Sequence, residues 1–324
     1  MLTRGPRSTR ASAPFVGAAP YPARMRTRPT LSWTPGDRAL PEPGDSVDPV
    51  ERVLRDGRVL VLSGAGLSTE SGIPDYRGEG GTLRRHTPMT YQDFVGGEDA
   101  RRRYWARSHL GWRSIGAARP NAGHLAVAAL ARHGCVTGVI TQNVDGLHQA
   151  AGSRGVVELH GSLARVVCLS CGATGARAEL DRRLRLANPE FAATAIRINP
   201  DGDADLPDAL VRTFRTVPCA ACGDGTLKPD VVFFGENVPR ARVDACYRLV
   251  DEAAALLVLG SSLTVLSGLR FVRHAARAGT PVFVINRGVT RGDEHAALRV
   301  DLPLGEALTE LARRLGAPLG APEG

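Results

Sequence analysis

A glycine-rich turn begins the set of residues in this chain that are suited to chemistry. It runs from Gly64 to Gly78 and follows the short apolar segment 58–62, which has strand character. Its glycines let the backbone approach a ligand closely, and the turn is expected to open a helix whose N-terminus favours a phosphate. The third glycine, Gly72, follows the second by six residues, which departs from the Gly-x-Gly-x-x-Gly spacing of dinucleotide sites. A tight turn that binds no ligand therefore remains open.

Two cysteine pairs form a second group with a spacing typical of metal sites. Cys168-x-x-Cys171 and Cys219-x-x-Cys222 each present two thiolates to one ion, which indicates a tetrahedral zinc site. Four protein ligands would close the site and leave no catalytic water on the metal. A redox dithiol usually comes singly, and disulfide frameworks belong to small secreted domains, so both alternatives fit less well. A zinc ribbon could also bind nucleic acid or protein.

Polar side chains follow further apolar segments. Gln142, Asn143 and Asp145 come after the segment 135–141. Their groups can hydrogen-bond ribose hydroxyls and a carboxamide, although Asn and Asp are also common in structural turns. His160 ends another such segment, where a lone histidine is more often structural than catalytic. Small and amide residues that suit an adenosine end two more segments: Gly260, Ser261 and Ser262, and then Asn286, Arg287 and Gly288.

The elements that must position these residues alternate along the chain. The predicted strands are 58–63, 135–141, 155–160, 255–260 and 281–286, and the helical patterns include 122–132, 240–254 and 266–278. This alternation predicts an α/β fold, a Rossmann-like doubly wound parallel sheet with helices on both faces. Ligands of such folds bind at the carboxyl ends of the strands, where the polar residues above would meet.

The segment with both cysteine pairs interrupts this alternation. It is predicted to form a smaller inserted zinc-binding module over 164–226, so the Rossmann-like domain is discontinuous over 46–163 and 227–318. Residues 1–45 are rich in Pro, Ala, Arg and Gly, which predicts a disordered N-terminal tail. Residues 319–324 are predicted to be a C-terminal tail.

Charge and hydrophobicity narrow the classes of function. The formal net charge is +8, but residues 1–38 carry +6 of it and leave +2 for the rest, which argues against nucleic acid as a partner. The sequence contains no run of eighteen apolar residues, so no membrane-spanning helix is predicted, and it shows no secretory signal. We therefore expect a cytoplasmic protein without a membrane partner.

With the segment Ile73-Pro74-Asp75-Tyr76-Arg77 added to the glycine turn, the chain resembles the sirtuins, which are NAD-dependent protein deacylases. The resemblance covers roughly 46–316, with separate motifs in the family's order, among them 142–145 and the His-Gly end of 156–161. Forty-seven residues separate Cys171 from Cys219, and this long insert resembles the class II branch of the family. The segments 103–107, 111–112 and 228–230 also resemble class II.

The resemblance implies a role for each motif. His160 would be the general base, with an ordinary pKa near ~6.5 that suits proton abstraction, and Asn143 and Asp145 would position nicotinamide and ribose. Val232, Phe234 and Gly235 would contact an extended acyl-lysine peptide. The residues that would contact NAD are Gly64, Ala65, Gly66, Ser68, Pro74, Asp75, Tyr76, Arg77, Gln142, Asn143, Val144, Asp145, Gly260, Ser261, Ser262, Asn286, Arg287, Gly288 and Leu304.

The implied activity is NAD-dependent, deacetylase-type removal of acyl groups from lysine in proteins or peptides. The acyl oxygen would attack the ribose as nicotinamide leaves, and His160 would take a proton from a ribose hydroxyl. The products would be nicotinamide, O-acyl-ADP-ribose and free lysine, with one zinc ion in a structural role. Protein mono-ADP-ribosyl transfer and a non-catalytic NAD- or ADP-ribose-binding module remain alternatives. The sequence leaves the acyl group open between acetyl, longer apolar and lipoyl-like groups.

Overall fold

The structure, a computed structural model, describes residues 43–44, 46–76, 88–191, 199 and 201–320. Residues 1–42 of the predicted tail, Arg77 and residues 321–324 lie outside the described residues. Gly44 pairs in parallel with Val300, and its N–H donates to Arg299 O at 2.8 Å. Gly44, which the sequence places in the tail, therefore contacts the sheet.

The described strands form two sheets. They are β1 (Val59–Ser63), β2 (Val136–Thr141), β3 (Val156–Glu158), β4 (Gly161–Cys168), β5 (Thr174–Ala176), β6 (Leu227–Val231), β7 (Ala255–Leu259), β8 (Val282–Ile285) and β9 (Leu298–Val300). The main sheet is parallel throughout, in the order β3-β2-β1-β7-β8-β9, which confirms the predicted fold class. The chain runs outward from β1 in one direction and then from β7 in the other. The crevice of this doubly wound sheet thus lies at the carboxyl ends of β1 and β7.

Helices cover both faces of this sheet. The described helices are α1 (Asp48–Asp56), α2 (Tyr91–Gly96), α3 (Glu98–Ala117), α4 (Ala122–Arg132), α5 (Leu147–Ala150), α6 (Arg177–Ala187), α7 (Asp208–Thr213), α8 (Arg240–Glu252), α9 (Leu266–Arg277) and α10 (Leu304–Arg314). The helical patterns 122–132, 240–254 and 266–278 predicted from the sequence correspond to α4, α8 and α9. None of the described helices combines the length and the apolar character that crossing a membrane requires.

Strand β1 shows why its sequence is apolar at every position. Val59 and Val61 belong to a core that includes residues of α1, α4 and α10. Leu60 and Leu62 belong to a second core on the other face, with residues of α8 and α9. Successive side chains of a strand point to opposite faces, so a strand covered on both sides needs a continuous apolar run. Each such side chain contributes about 1.5–3 kcal/mol when it is fully buried.

The second sheet is antiparallel, in the order β5-β4-β6, and belongs to the cysteine-containing part of the chain. Its core contains Trp105 of α3, Leu180 of α6 and Phe214. The chain enters β4 directly after His160 and leaves β6 directly before Val232, and the N–H of Val232 donates to His160 O at 2.8 Å. The two crossings between the sheets are therefore joined beside His160. The domain limits given above stay a prediction.

The prediction that a helix follows the glycine turn is wrong. Two short 3₁₀ turns stand there instead, Ala65–Leu67 and Thr69–Ser71. Gly72 ends the second turn in the left-handed region, at φ +82, and Pro74 follows two residues later. A left-handed glycine and a nearby proline both stop a helix, so the segment is too short for a helix N-terminus that could hold a phosphate.

Candidate active site

The turns that follow β1 and β7 are packed against each other by their backbones. Gly64 N donates to Leu259 O at 2.9 Å, and Gly66 N donates to Gly260 O at 2.8 Å. A Cβ on Gly66 would lie 2.9 Å from Gly260 Cα, and one on Gly260 would lie 2.5 Å from Leu67 N. The glycines are therefore required for the close approach of the two strand ends, and they leave bare backbone at the crevice.

Gly260→Ala is expected to destabilise the protein, because Gly260 has φ +58 and its Cβ would enter the Leu67 backbone. A strained backbone of this kind costs about 1–3 kcal/mol, and each kcal/mol lowers Tm by about 2–4 °C in a domain of this size. Thermal unfolding measures the effect. Gly116→Ala is the matched control, because Gly116 lies in α3 with nothing within 4 Å of its added Cβ. Equal melting temperatures for the two variants would contradict the requirement.

A chain of hydrogen bonds runs from the glycine turn to Asp145. Asn143 Nδ2 donates to Gly64 O and to Ser68 Oγ, both at 3.0 Å. Ser68 Oγ in turn donates to Asp145 Oδ2 at 2.8 Å, and the other oxygen of Asp145 accepts from Leu147 N at 2.9 Å. Burial raises the pKa of the Asp145 carboxyl, and these hydrogen bonds oppose that rise. These hydrogen bonds fix the orientation of the Asn143 amide and the Asp145 carboxyl group after the end of β2.

The imidazole of His160 is held at both ring nitrogens. Nδ1 lies 2.9 Å from the backbone oxygen of Gln142, and Nε2 lies 2.8 Å from Ser267 Oγ. Burial lowers the pKa of His160 to about 4; the Gln142 hydrogen bond opposes this, and Arg242 and Arg270 add to it. The ordinary pKa expected from the sequence is therefore wrong. Desolvation causes the low pKa of His160, and the ring is neutral at physiological pH.

One cavity of about 1640 Å³ joins these groups. It is lined by His160 and by every described residue that the sequence analysis assigned to NAD or to substrate, and Arg77 lies outside the described residues. Gly260–Ser262, Asn286–Gly288 and Leu304 line it together with the glycine turn. A cavity of this size and polarity is large enough for a dinucleotide and an extended side chain together.

The segment after β6 forms another part of the cavity wall and is fixed by a buried ion pair. Lys228 Nζ lies 2.9 Å from Glu236 Oε2, with side chains only 3% and 2% exposed, and Glu236 also accepts from Phe233 N at 2.8 Å. Phe234 O accepts from Tyr91 N at 2.9 Å, which anchors the segment to α2. The backbone from Val232 to Gly235 is thus held at both ends beside His160.

The four cysteines of the two pairs meet outside this cavity. Their sulfur atoms all lie within 4.8 Å of one another. Cys168 Sγ lies 3.8 Å from Cys222 Sγ, and Cys171 Sγ lies 3.9 Å from Cys219 Sγ. Four sulfurs about 2.3 Å from a tetrahedral zinc ion would stand about 3.8 Å apart, so the arrangement fits the metal. A Cβ at Gly225 would collide with the sulfurs of Cys168 and Cys222, so this position requires glycine.

Sequence reasoning missed several groups that line the cavity. Ser267 and Arg270 lie on α9, a few residues beyond the predicted Gly260–Ser262 segment. The prediction considered only residues that directly follow a strand and therefore did not include them. Others include carboxyl and hydroxyl groups from separate elements: Tyr104, Asp201, Asp203, Glu236 and Asp301. Asp201 and Asp203 belong to an acidic stretch of the insert, residues 201–205, and only the fold brings that stretch to the cavity.

Comparisons with known proteins agree on one family. A family model described as the Sir2 family matches residues 64–267. The chain is 70% identical over 296 residues to a protein of Streptomyces coelicolor named NAD-dependent protein deacetylase 1, and the match covers 91% of this chain and 98% of that protein.

Two solved structures show the same fold with ligands. One is described as a Sir2 variant with deacetylated p53 peptide and 3′-O-acetyl ADP-ribose; it has a TM-score of 0.68 and 28% identity, and the match covers 84% of this chain and 99% of that one. The other is described as Sir2 with p53 peptide and NAD⁺, with a TM-score of 0.65 and 27% identity, and the match covers 84% and 100%.

Proposed function

The chain belongs to the Sir2 family, and on this premise we infer that it is an NAD-dependent protein lysine deacylase of the deacetylase type. One observation carries the inference at the level of the site. His160, the Asn143–Ser68–Asp145 chain and the paired glycine turns line a single cavity beside a fixed extended segment. Its cofactors are NAD and one structural zinc ion, held by Cys168, Cys171, Cys219 and Cys222.

The residues of the main sheet bind and orient the dinucleotide in this proposal. The glycine turns provide a close backbone surface, and Asn286–Gly288 with Leu304 hold the adenosine end. Asn143 and Asp145 hold the nicotinamide end, because their groups are already fixed toward the cavity by Ser68. NAD supplies a ribose carbon to which the acyl oxygen is transferred and nicotinamide as the leaving group.

His160 serves as the general base. Its Nδ1 is engaged by a backbone carbonyl, so Nε2 is the ring nitrogen that gains a proton when a ribose hydroxyl is deprotonated. Burial keeps the ring neutral at physiological pH, so the Nε2 lone pair is present, while the same desolvation makes the imidazole of the free protein a weaker base. Enclosure in a cavity between the sheets limits water around the transferred group and strengthens each polar contact there.

An acylated lysine in a protein or peptide is the proposed partner substrate. Val232, Phe234 and Gly235 line the cavity, and an extended peptide would add to this edge as a strand. Tyr76 packs edge-on against Phe234 with ring centroids 5.9 Å apart, which supplies an apolar wall for the acyl-lysine side chain.

Assignment to the class II branch, the absence of nucleic-acid and membrane partners and a cytoplasmic location stay predictions.

Incubation with NAD and an acetyl-lysine peptide tests the function. We expect nicotinamide, O-acetyl-ADP-ribose and deacetylated peptide in equal amounts, measured by mass spectrometry. The same peptide with unmodified lysine is the control and should release no nicotinamide. Modified protein without O-acetyl-ADP-ribose would instead identify a mono-ADP-ribosyltransferase. NAD binding without nicotinamide release would identify a non-catalytic module.

A further inference from the structure

The hydrogen bonds of His160 define which ring nitrogen carries the proton. A backbone carbonyl only accepts, so Nδ1 must donate its proton to Gln142 O. In the neutral ring Nε2 then has a lone pair and no proton. Ser267 Oγ, 2.8 Å away, is therefore the donor in the second contact. The single lone pair of the base is already occupied by a serine hydroxyl.

The packing of α9 explains why this serine stands so close to the base. Ser267 is the second residue of α9, and Gly268 follows it. A Cβ on Gly268 would lie 2.5 Å from Gln142 Oε1, so only glycine lets the start of the helix approach the Gln142 side chain. Gln142, whose backbone oxygen accepts from His160 Nδ1, is thus also the residue against which the first turn of α9 packs. Arg270, one turn further along the same face, also lines the cavity.

We propose that Ser267 is a catalytic relay through which the ribose hydroxyl passes its proton to His160. The hydroxyl donates to Nε2 and still has lone pairs that accept from a ribose hydroxyl. In the step the ribose O–H bond breaks as an O–H bond forms at Ser267 Oγ, and the original Ser267 proton forms the N–H bond at Nε2. Ser267 is neutral before and after, and His160 gains one positive charge as the ribose oxygen loses its proton.

This inference rests on the proposed function and gives Ser267 a role in one step only. Departure of nicotinamide needs no base. Transfer of the acyl group to the ribose hydroxyl does need one, because the hydroxyl must lose its proton. Loss of the hydroxyl should therefore separate the two steps. A residue that only supported the fold would affect both steps alike.

The test compares Ser267→Ala with the hydroxyl-retaining Ser267→Thr. For Ser267→Ala we expect O-acetyl-ADP-ribose formation to fall by about 10- to 100-fold, while exchange of labelled nicotinamide into NAD stays within about twofold. Ser267→Thr should keep most of both activities. A proton inventory in mixed H₂O and D₂O should be curved for the wild-type protein, because two protons move together, and linear for Ser267→Ala.

A second measurement needs no bound NAD. In ¹⁵N NMR spectra of the free protein, His160 should show a protonated Nδ1 and a hydrogen-bonded, unprotonated Nε2. In Ser267→Ala the Nε2 resonance should move toward the value of an unbonded ring nitrogen. Unchanged deacylation in Ser267→Ala, or equal losses in both steps, would overturn the relay. A wild-type protein that releases no nicotinamide would instead overturn the proposed function.

Discussion

His160→Ala is expected to abolish deacylation, with a fall in kcat of about 10²- to 10⁴-fold, the range that a general base contributes. The imidazole Nε2 is the nitrogen that receives the proton, and alanine offers no acceptor in its place. The dissociation constant for NAD should change by less than about threefold, because the glycine turns and the Asn143 chain do not depend on the ring. Peptide deacetylation assays and calorimetric titration with NAD measure the two quantities separately.

His133→Ala is the matched control for this variant. His133 is exposed and lies just after α4, so its removal should leave both activity and NAD affinity at the wild-type level. Turnover of His160→Ala near that of the wild-type protein would refute the assignment of the base. Loss of NAD binding together with turnover would point to a collapsed cavity, which the melting temperature would reveal.

Cys168→Ala is expected to eliminate zinc and with it the folded state of the cysteine-containing sheet. Cys168 is 1% exposed, ends β4 and contributes one of the four sulfurs. Zinc binding to such structural sites supplies about 10–16 kcal/mol in model peptides, so a three-ligand site cannot compensate. Deacylation should be lost as well, because β4 starts directly after His160 and β6 leads directly into the substrate segment.

Metal content measured by plasma mass spectrometry checks this prediction, with one zinc ion per wild-type chain as the reference. Cys135→Ala serves as the control. Cys135 is also buried, at 6% exposed, but lies in the core of the main sheet, so this variant should keep its zinc and lose only about 1 kcal/mol of stability. A full zinc content in Cys168→Ala would show that other ligands hold the metal and would refute the assigned site.

Local sequence patterns predict five of the six strands of the main sheet and most of its strand-end residues, but they miss the short edge strand β9. The apolar runs around Val61 and Leu257 are continuous because helices cover both faces, and a short continuous run bounded by glycine or serine is typical of a fully buried strand. Polar residues that directly follow such strands must share one edge of a parallel sheet. Their convergence therefore follows from topology and needs no knowledge of side-chain packing.

Features that depend on contacts between distant segments could not be predicted in this way. Ser267 looks like an ordinary residue at the start of a helix, and its contact with His160 exists only because Gly268 fits against Gln142. The low pKa of His160 likewise arises from burial, which no local pattern reports. Gly72 ends the 3₁₀ turn because of its backbone angle, so the glycine spacing alone suggested a helix that does not form.

Lys228 is the only lysine of the chain, and it is enclosed beside Glu236 with 3% of its side chain exposed. A protein that strips acyl groups from amines therefore displays no lysine side chain on which such groups could accumulate. Reactive acyl thioesters in its surroundings would leave its side-chain amines unmodified, and self-repair would be unnecessary. Succinimidyl-ester dyes and amine cross-linkers would likewise find no surface lysine, so they are expected to label the N-terminal α-amine rather than a side chain.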